Sequence, residues 1–324
     1  MLRISTISFP GLGIGEFNVD SVAFKLFGIE IAWYAVLITF GMICCIAYTI
    51  FQAHKVGITF DDVIDYALFT IPIGVIGARL YYVIFDNEHT YDTLIDVFNI
   101  RQGGLAIYGG IIAGTLTVLA VSYFKKISFL SFGDCVAPGV LLAQGIGRWG
   151  NFMNGEAFGS ETESFIRMGL QNLNTYNKLV FVHPTFLYES LWNLTGVLLV
   201  YLFAKFIKKK YDGQLILLTF GWYGLGRMFI EGLRSDSLYV GNTNIRVSQL
   251  LAAIIFVACL GLLIYFFIRK PTKPLYQKAV VEGEEEEEFP LFNKIKEFVK
   301  SIKDKKSSSN DSATENDTND KPEE

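Results

Sequence analysis

Three arginines, Arg79, Arg148 and Arg227, lie inside hydrophobic runs long enough to cross a bilayer. A cation at that depth costs about 2.5–3.5 kcal/mol on insertion scales, so each implies a partner or a ligand. Two sit in dense polar motifs. One is Gly147-Arg148-Trp149-Gly150-Asn151-Phe152-Met153-Asn154-Gly155-Glu156; the other is Tyr223-Gly224-Leu225-Gly226-Arg227, with Glu231 and Arg234 beyond it. Helical spacing puts Tyr223, Arg227, Glu231 and Arg234 on one face, and Gln144, Arg148 and Asn151 on another. Lipid does not tolerate polar stripes, so the two must face each other or a wet cavity. Such a cluster suits an anion, a bound phosphate above all. The alternative is an ion-pair network that clamps the bundle, with Arg227 paired to Glu231 and with Glu156 and Asp86 as candidate partners for Arg148 and Arg79.

The elements that position these residues follow from hydropathy. Seven stretches approach the roughly 20 apolar residues of a spanning helix. They lie near 31–52, 63–85, 104–124, 130–151, 186–206, 214–233 and 247–268. Lysines and arginines cluster after the first, third, fifth and seventh (Lys55; Lys125-Lys126; Lys205 with Lys208-Lys209-Lys210; Arg269-Lys270), whereas the opposite connections are mixed or acidic. The positive-inside rule then predicts an all-α polytopic membrane protein with the N-terminus outside and the C-terminus in the cytoplasm. In that orientation the polar motifs gather at the outer face. Glycines flank them (Gly103-Gly104, Gly145, Gly147, Gly224, Gly226), and Gly110-x-x-x-Gly114 is a weak helix-contact signal.

Composition agrees. The chain has 324 residues, 51% of them hydrophobic, and a mean hydropathy of +0.36, too apolar for a soluble protein of this length. Its net charge of −4 belongs to the tail: residues 282–324 hold 14 acids and seven lysines, a net −7, which leaves +3 for the rest. Residues 1–274 form the membrane domain by this division. Residues 275–324 form an acidic, mostly disordered tail, in which apolar residues at helical spacing predict an amphipathic helix over 291–303. The four cysteines lie in apolar runs with no metal spacing. His54 and His89 fall in connections, and His183 stands before Pro184 at the outer mouth of the fifth span. No secretory signal is visible at the N-terminus.

Taken together, these motifs resemble the prolipoprotein diacylglyceryl transferase family over roughly residues 15–270. The Gly147–Glu156 run is the most specific element. Trp33-Tyr34, Gly77-Ala78-Arg79-Leu80, Gly103-Gly104-Leu105-Ala106-Ile107-Tyr108-Gly109-Gly110, His183-Pro184-Thr185 through Tyr188-Glu189, and Gly226-Arg227 with Glu231 and Arg234 support it in the same order. The resemblance implies transfer of the diacylglyceryl group of phosphatidylglycerol to the lipobox cysteine thiol of preprolipoproteins, with release of glycerol 1-phosphate, at the outer leaflet of the bacterial cytoplasmic membrane. It implies phosphate binding and leaving-group stabilisation by Arg148 and Arg227. Asn151, Asn154, Glu156, Tyr34, Arg79, Gly104, His183, Glu231 and Arg234 are implied as substrate-binding or orienting residues. The expected partners are phosphatidylglycerol, preprolipoprotein signal peptides and membrane lipid, with no nucleic acid, no metal and no organic cofactor. Many members carry histidine, a candidate base for the thiol, where this chain has Tyr108. Tyr108 is therefore a candidate catalytic residue, and the identity of the base stays open. A lipid or organic-anion transporter is the alternative; it calls for polar residues near the midplane and for matching halves, neither of which is visible.

Overall fold

The computed structural model describes residues 4–86, 91, 93–99, 103–235, 237, 239, 243, 245–271 and 275–277. One compact unit spans Met1–Lys278; residues 279–324 lie outside the described residues, and with them the amphipathic helix expected over 291–303.

The protein is mostly helical: α1 (Trp33–Ala53), α2 (Phe60–Phe85), the short α3 (Leu94–Phe98), α4 (Ile107–Lys125), α5 (Phe129–Asn154), α6 (Thr185–Leu202, continued by a π turn over Phe203–Ile207), α7 (Gln214–Ile230) and α8 (Val247–Arg269). Six of these, α1, α2, α4, α5, α6 and α8 with their continuations, are long and apolar enough to cross a membrane. With 17 residues, α7 reaches about 26 Å, somewhat less than a bilayer core. A 3-10 turn over Glu231–Leu233 carries the chain further.

The expectation of an all-α chain is corrected by six strands among the described residues. β1 (Ile4–Phe9), β2 (Ile14–Asp20), β5 (Met168–Gln171) and β6 (Val180–Val182) form an antiparallel sheet in the order β2-β1-β5-β6. β3 (Val22–Leu26) and β4 (Ile29–Ala32) form a hairpin that turns at Phe27-Gly28, both at positive φ. The sheet has a reason in the sequence. Ile7, Phe9, Val19, Met168, Leu170 and Val182 supply one buried face, which packs on Phe152 of α5 and Phe186 of α6. Strand pairing satisfies the backbone of segments that a bundle alone leaves open.

α5 is the central helix, packed against α1, α6 and α7. Its apolar window is 56% buried, against 11% for α1, α2 and α8, so its polar side chains are shielded from lipid. Near its start, Asp134 Oδ1 accepts from the N–H groups of Leu215 (2.9 Å) and Ile216 (3.0 Å), and Oδ2 from Gly213 N–H (2.9 Å) and Lys209 Nζ (3.2 Å). A carboxylate of one helix thus caps the N-terminus of another, meeting its free donors and its dipole. Thr59 and Asp62 form a capping box at the start of α2.

Two close crossings set the remaining geometry. At Gly109 of α4 a Cβ would lie 2.3 Å from the Gly77 carbonyl oxygen of α2; this, rather than Gly110-x-x-x-Gly114, is where the two helices come closest. Between α6 and α7 the contact is reciprocal. The rings of Trp192 and Trp222 stack at 4.4 Å. Trp192 Nε1 donates to the Trp222 carbonyl (3.0 Å) and Trp222 Nε1 to the Trp192 carbonyl (2.8 Å). Each indole lies over the glycine four residues beyond the other: a Cβ at Gly226 would sit 2.1 Å from Trp192 Nε1, and one at Gly196 2.3 Å from Trp222 Cδ1.

Candidate active site

The crossing of α6 and α7 places Glu189 beside Arg227, and the packing of α5 on α6 brings Arg148 to the same carboxylate. Arg148 Nε lies 2.6 Å from Glu189 Oε2; Arg227 Nη1 lies 2.6 Å and Arg234 Nη1 3.6 Å from Glu189 Oε1. Arg227 Nη2 is 2.5 Å from Glu231 Oε2, off the direction of a hydrogen bond, so we regard it as a charge contact. Arg246 Nη1 donates to the Glu231 carbonyl. Glu189 and Glu231 are buried. Arg148, Arg227 and Arg234 thus gather around Glu189, with Glu231 and Arg246 beside them. Guanidiniums gathered at a partly dry site attract an anion strongly.

The Gly147–Glu156 motif closes α5 and turns toward the sheet. Glu156 Oε1 accepts from Asn151 Nδ2 and Asn154 Nδ2, both at 3.1 Å. Asn154 Oδ1 is buried without a partner among the described residues. Gly155 takes the left-handed conformation that ends the helix, φ +60, where a Cβ would lie 2.4 Å from both Asn172 Nδ2 and Ser5 Oγ; only glycine fits. Its carbonyl accepts from Asn172 Nδ2 at 2.9 Å, which ties the motif to the sheet. At Gly150 a Cβ would lie 2.7 Å from Tyr34 Cδ2, so Tyr34 lies against the same turn, within the electrostatic reach of Glu156 and Arg148. Trp149 Nε1 donates to Ser190 Oγ (3.2 Å), beside Glu189.

The connection after Glu156 is laced to the turn carrying Glu231 and Arg234. Ser160 N–H donates to the Leu233 carbonyl (2.7 Å), Gly159 bridges Arg234, and Gly159 N–H donates to the His183 carbonyl (3.0 Å). His183 Nδ1 faces Tyr188 Oη at 3.1 Å, on the turn that opens α6 one residue before Glu189.

The remaining expected residues lie elsewhere. Arg79 Nε donates to the Val97 carbonyl (2.7 Å), Nη1 to Gly103 (2.9 Å) and Gly104 (3.1 Å), and Nη2 to Asp96 (2.9 Å). Its cationic face meets the rings of Tyr82 and Tyr91. Gly104, at φ +73, lets the chain pass this guanidinium; a Cβ there would lie 2.6 Å from Nη1. Asp86 accepts from Tyr91 Oη at 2.5 Å, a bond that pushes the Tyr91 phenol up to about 12. Four backbone carbonyls therefore occupy Arg79, and in this structure it fastens α3 and the start of α4 to α2. Tyr108, on the first turn of α4, is about one-third exposed. No hydrogen bond, ion pair or ring contact among the described residues joins Arg79, Gly104 or Tyr108 to the Glu189 cluster.

Glu189 is the residue that sequence reasoning left out of the site. It stood inside a matching motif, yet an acid buried in an apolar helix is as costly as an arginine there and carried the same signal.

Residues 21–265 match the family described as prolipoprotein diacylglyceryl transferase. The chain belongs to the prolipoprotein diacylglyceryl transferase family. It is 44% identical over 258 residues to the phosphatidylglycerol–prolipoprotein diacylglyceryl transferase of Enterococcus faecalis, a match covering 76% of this chain and 90% of the relative. It is 43% identical over 257 residues to the enzyme of that name in Clostridium kluyveri (76% and 96% covered). For the one in Clostridioides difficile the identity is 43% over 255 residues (79% and 98%). In this family member the arginine cluster, the Gly147–Glu156 turn and the His183–Glu189 turn all lie within the matched residues, and the relatives do not favour the transporter alternative.

Proposed function

We propose that this chain transfers the diacylglyceryl group of phosphatidylglycerol to the thiol of a lipobox cysteine in a preprolipoprotein, releasing glycerol 1-phosphate. The observation that carries this is the Glu189 cluster. Three arginines on three elements converge on one buried carboxylate, a concentration of guanidinium donors that suits a phosphodiester. The cysteine sulfur attacks the glycerol carbon, the C–S bond forms, and the C–O bond to phosphate breaks with its electron pair. The departing phosphate monoester then gains charge toward −2 and takes up the proton that the thiol has lost, through solvent. Fixed guanidiniums stabilise that developing charge without reorganising.

In this account Arg148 and Arg227 hold the phosphate, and Glu189, Glu231 and Arg234 set their orientation. Asn151, Asn154 and Glu156 face the glycerol head group, with Tyr34, His183 and Tyr188 beside it. The seventh span is α7 with its 3-10 extension. Lysine clusters support an N-terminus outside and a C-terminus in the cytoplasm of a bacterial cell membrane, with the cluster toward the outer leaflet. The test is direct. Purified protein is mixed with phosphatidylglycerol vesicles and a lipobox peptide, and the peptide is examined by mass spectrometry. A thioether-linked diacylglyceryl adduct is expected; unmodified peptide, with folded protein, contradicts the proposal.

A further inference from the structure

Opposite the arginine cluster, at the other end of α5, lies a cavity of about 250 Å³. The end of α1 supplies Gln52 and Lys55, α5 supplies Asp134 and Cys135, the end of α6 supplies Tyr201 and Lys205, and Lys209 precedes α7. The π turn over Phe203–Ile207 carries Lys205 into this wall; such turns recur at functional sites.

The donors and acceptors are unequally used. The one acid in the wall, Asp134, already accepts four hydrogen bonds, so it has nothing left to offer a cation. Lys209 is held between Asp134 (3.2 Å) and Asp212 (2.9 Å). Lys55 Nζ donates to Gln52 Oε1 at 2.6 Å and lies 4.1 Å from the Phe51 ring centre. Lys205 Nζ stands over the Phe206 ring at 5.4 Å. Neither Lys55 nor Lys205 forms an ion pair with any described carboxylate. Among the described residues, three ammoniums against Asp134 and Asp212 leave one positive charge, and most of the spare N–H donors belong to lysines. Val56, Ala204 and Leu215 complete the wall with apolar surface. Anionic charge beside apolar surface, at the ends of membrane helices, is the chemistry of a phospholipid head group.

We infer that this cavity binds a phosphate-ester anion, a lipid head group or a soluble phosphate, through Lys55 and Lys205. The site is separate from the reaction proposed above and does not depend on it. The test uses the full chain, stripped of lipid in detergent, with dioleoyl phosphatidylglycerol as the probe and native mass spectrometry as the readout. Arg227→Gln is the background, so that binding at the arginine cluster does not mask the second site. Lys55→Gln with Lys205→Gln should weaken the remaining lipid by roughly thirtyfold, the expected equivalent of two surface lysines. Lys55→Arg with Lys205→Arg should restore it, which separates lost charge from misfolding. Displacement by inorganic phosphate, but not by phosphatidylcholine, identifies a soluble phosphate as the ligand; resistance to phosphate identifies the lipid. Equal retention in the glutamine pair and the background, for lipid and phosphate alike, would overturn the inference.

Discussion

Gly226→Ala perturbs the site without touching any group that binds or reacts. The added methyl would fall 2.1 Å from Trp192 Nε1 and 2.3 Å from Trp192 Cδ1, so the indole or the helix must move by more than about 1 Å to reach normal contact near 3.5 Å. The indole has no easy escape, because it is stacked on Trp222 and bonded to the Trp222 carbonyl. Overpacking costs about 1–3 kcal/mol. Loss of the indole hydrogen bond adds about 1 kcal/mol, and the better helix propensity of alanine returns about 1 kcal/mol. The net destabilisation is about 1–3 kcal/mol, which leaves the protein folded. Turnover should suffer more, because Arg227 is the next residue and a 1 Å misplacement costs on the order of 100-fold. Gly221→Ala is the control on the same helix: its methyl meets Cys259 Cβ at an ordinary 3.4 Å. Peptide modification in phosphatidylglycerol vesicles and thermal unfolding should be measured together for both. The expected result is a large fall in kcat for Gly226→Ala with little change for Gly221→Ala. Equal rates in the two variants would refute the claim that the tryptophan–glycine crossing positions the arginine.

Three further outcomes follow from the same geometry. Arg148→Lys and Arg227→Lys should insert normally yet lose roughly 100- to 1,000-fold in turnover, because lysine keeps charge but loses the planar fork; near-normal rates in both would favour a purely structural network. Tyr108→Phe should keep substantial activity, because a substrate thiol beside arginines ionises without a dedicated base; complete loss in an inserted Tyr108→Phe protein would make the phenol a direct participant. Burial alone would lower the Lys209 ammonium, but Asp134 and Asp212 together hold it above the ordinary lysine value of 10.5. A raised folded value means stabilisation that is complete below the unfolded pKa and lost as pH rises through the folded one. Lys209→Met should therefore lower the Tm at neutral pH, and the gap from wild type should narrow above pH 10.5; a gap that stays constant would contradict the ion pairs.

The helices were legible because twenty apolar residues leave few alternatives, and Arg148 and Arg227 because their cost in an apolar run demands an explanation. Their common partner was not, since Glu189 meets them only through contacts among α5, α6 and α7 that no local spacing encodes. A search for buried acids as well as buried bases would have flagged it. Arg79 carried the same signal as the other two arginines. Its partners are backbone carbonyls, which any residue supplies, so sequence could not separate a clamp from a ligand site. The strands escaped because Ile4–Phe9 is short and broken by Pro10 and Gly11; its buried face becomes evident only against β5, more than 150 residues away in the chain. The paired Trp192/Gly196 and Trp222/Gly226 spacings were present in the sequence but have meaning only once α6 and α7 are seen to cross.

The central claim is that a phosphate held by the arginines leaves from carbon. It is tested most directly with phosphatidylglycerol carrying ¹⁸O in the bond between the diacylglycerol carbon and phosphorus. Attack of the thiol on carbon sends that oxygen out with the phosphate, so the released glycerol phosphate should retain the label while the thioether product has none. Label recovered in a diacylglycerol hydroxyl, the sign of cleavage between phosphorus and oxygen, would contradict the mechanism.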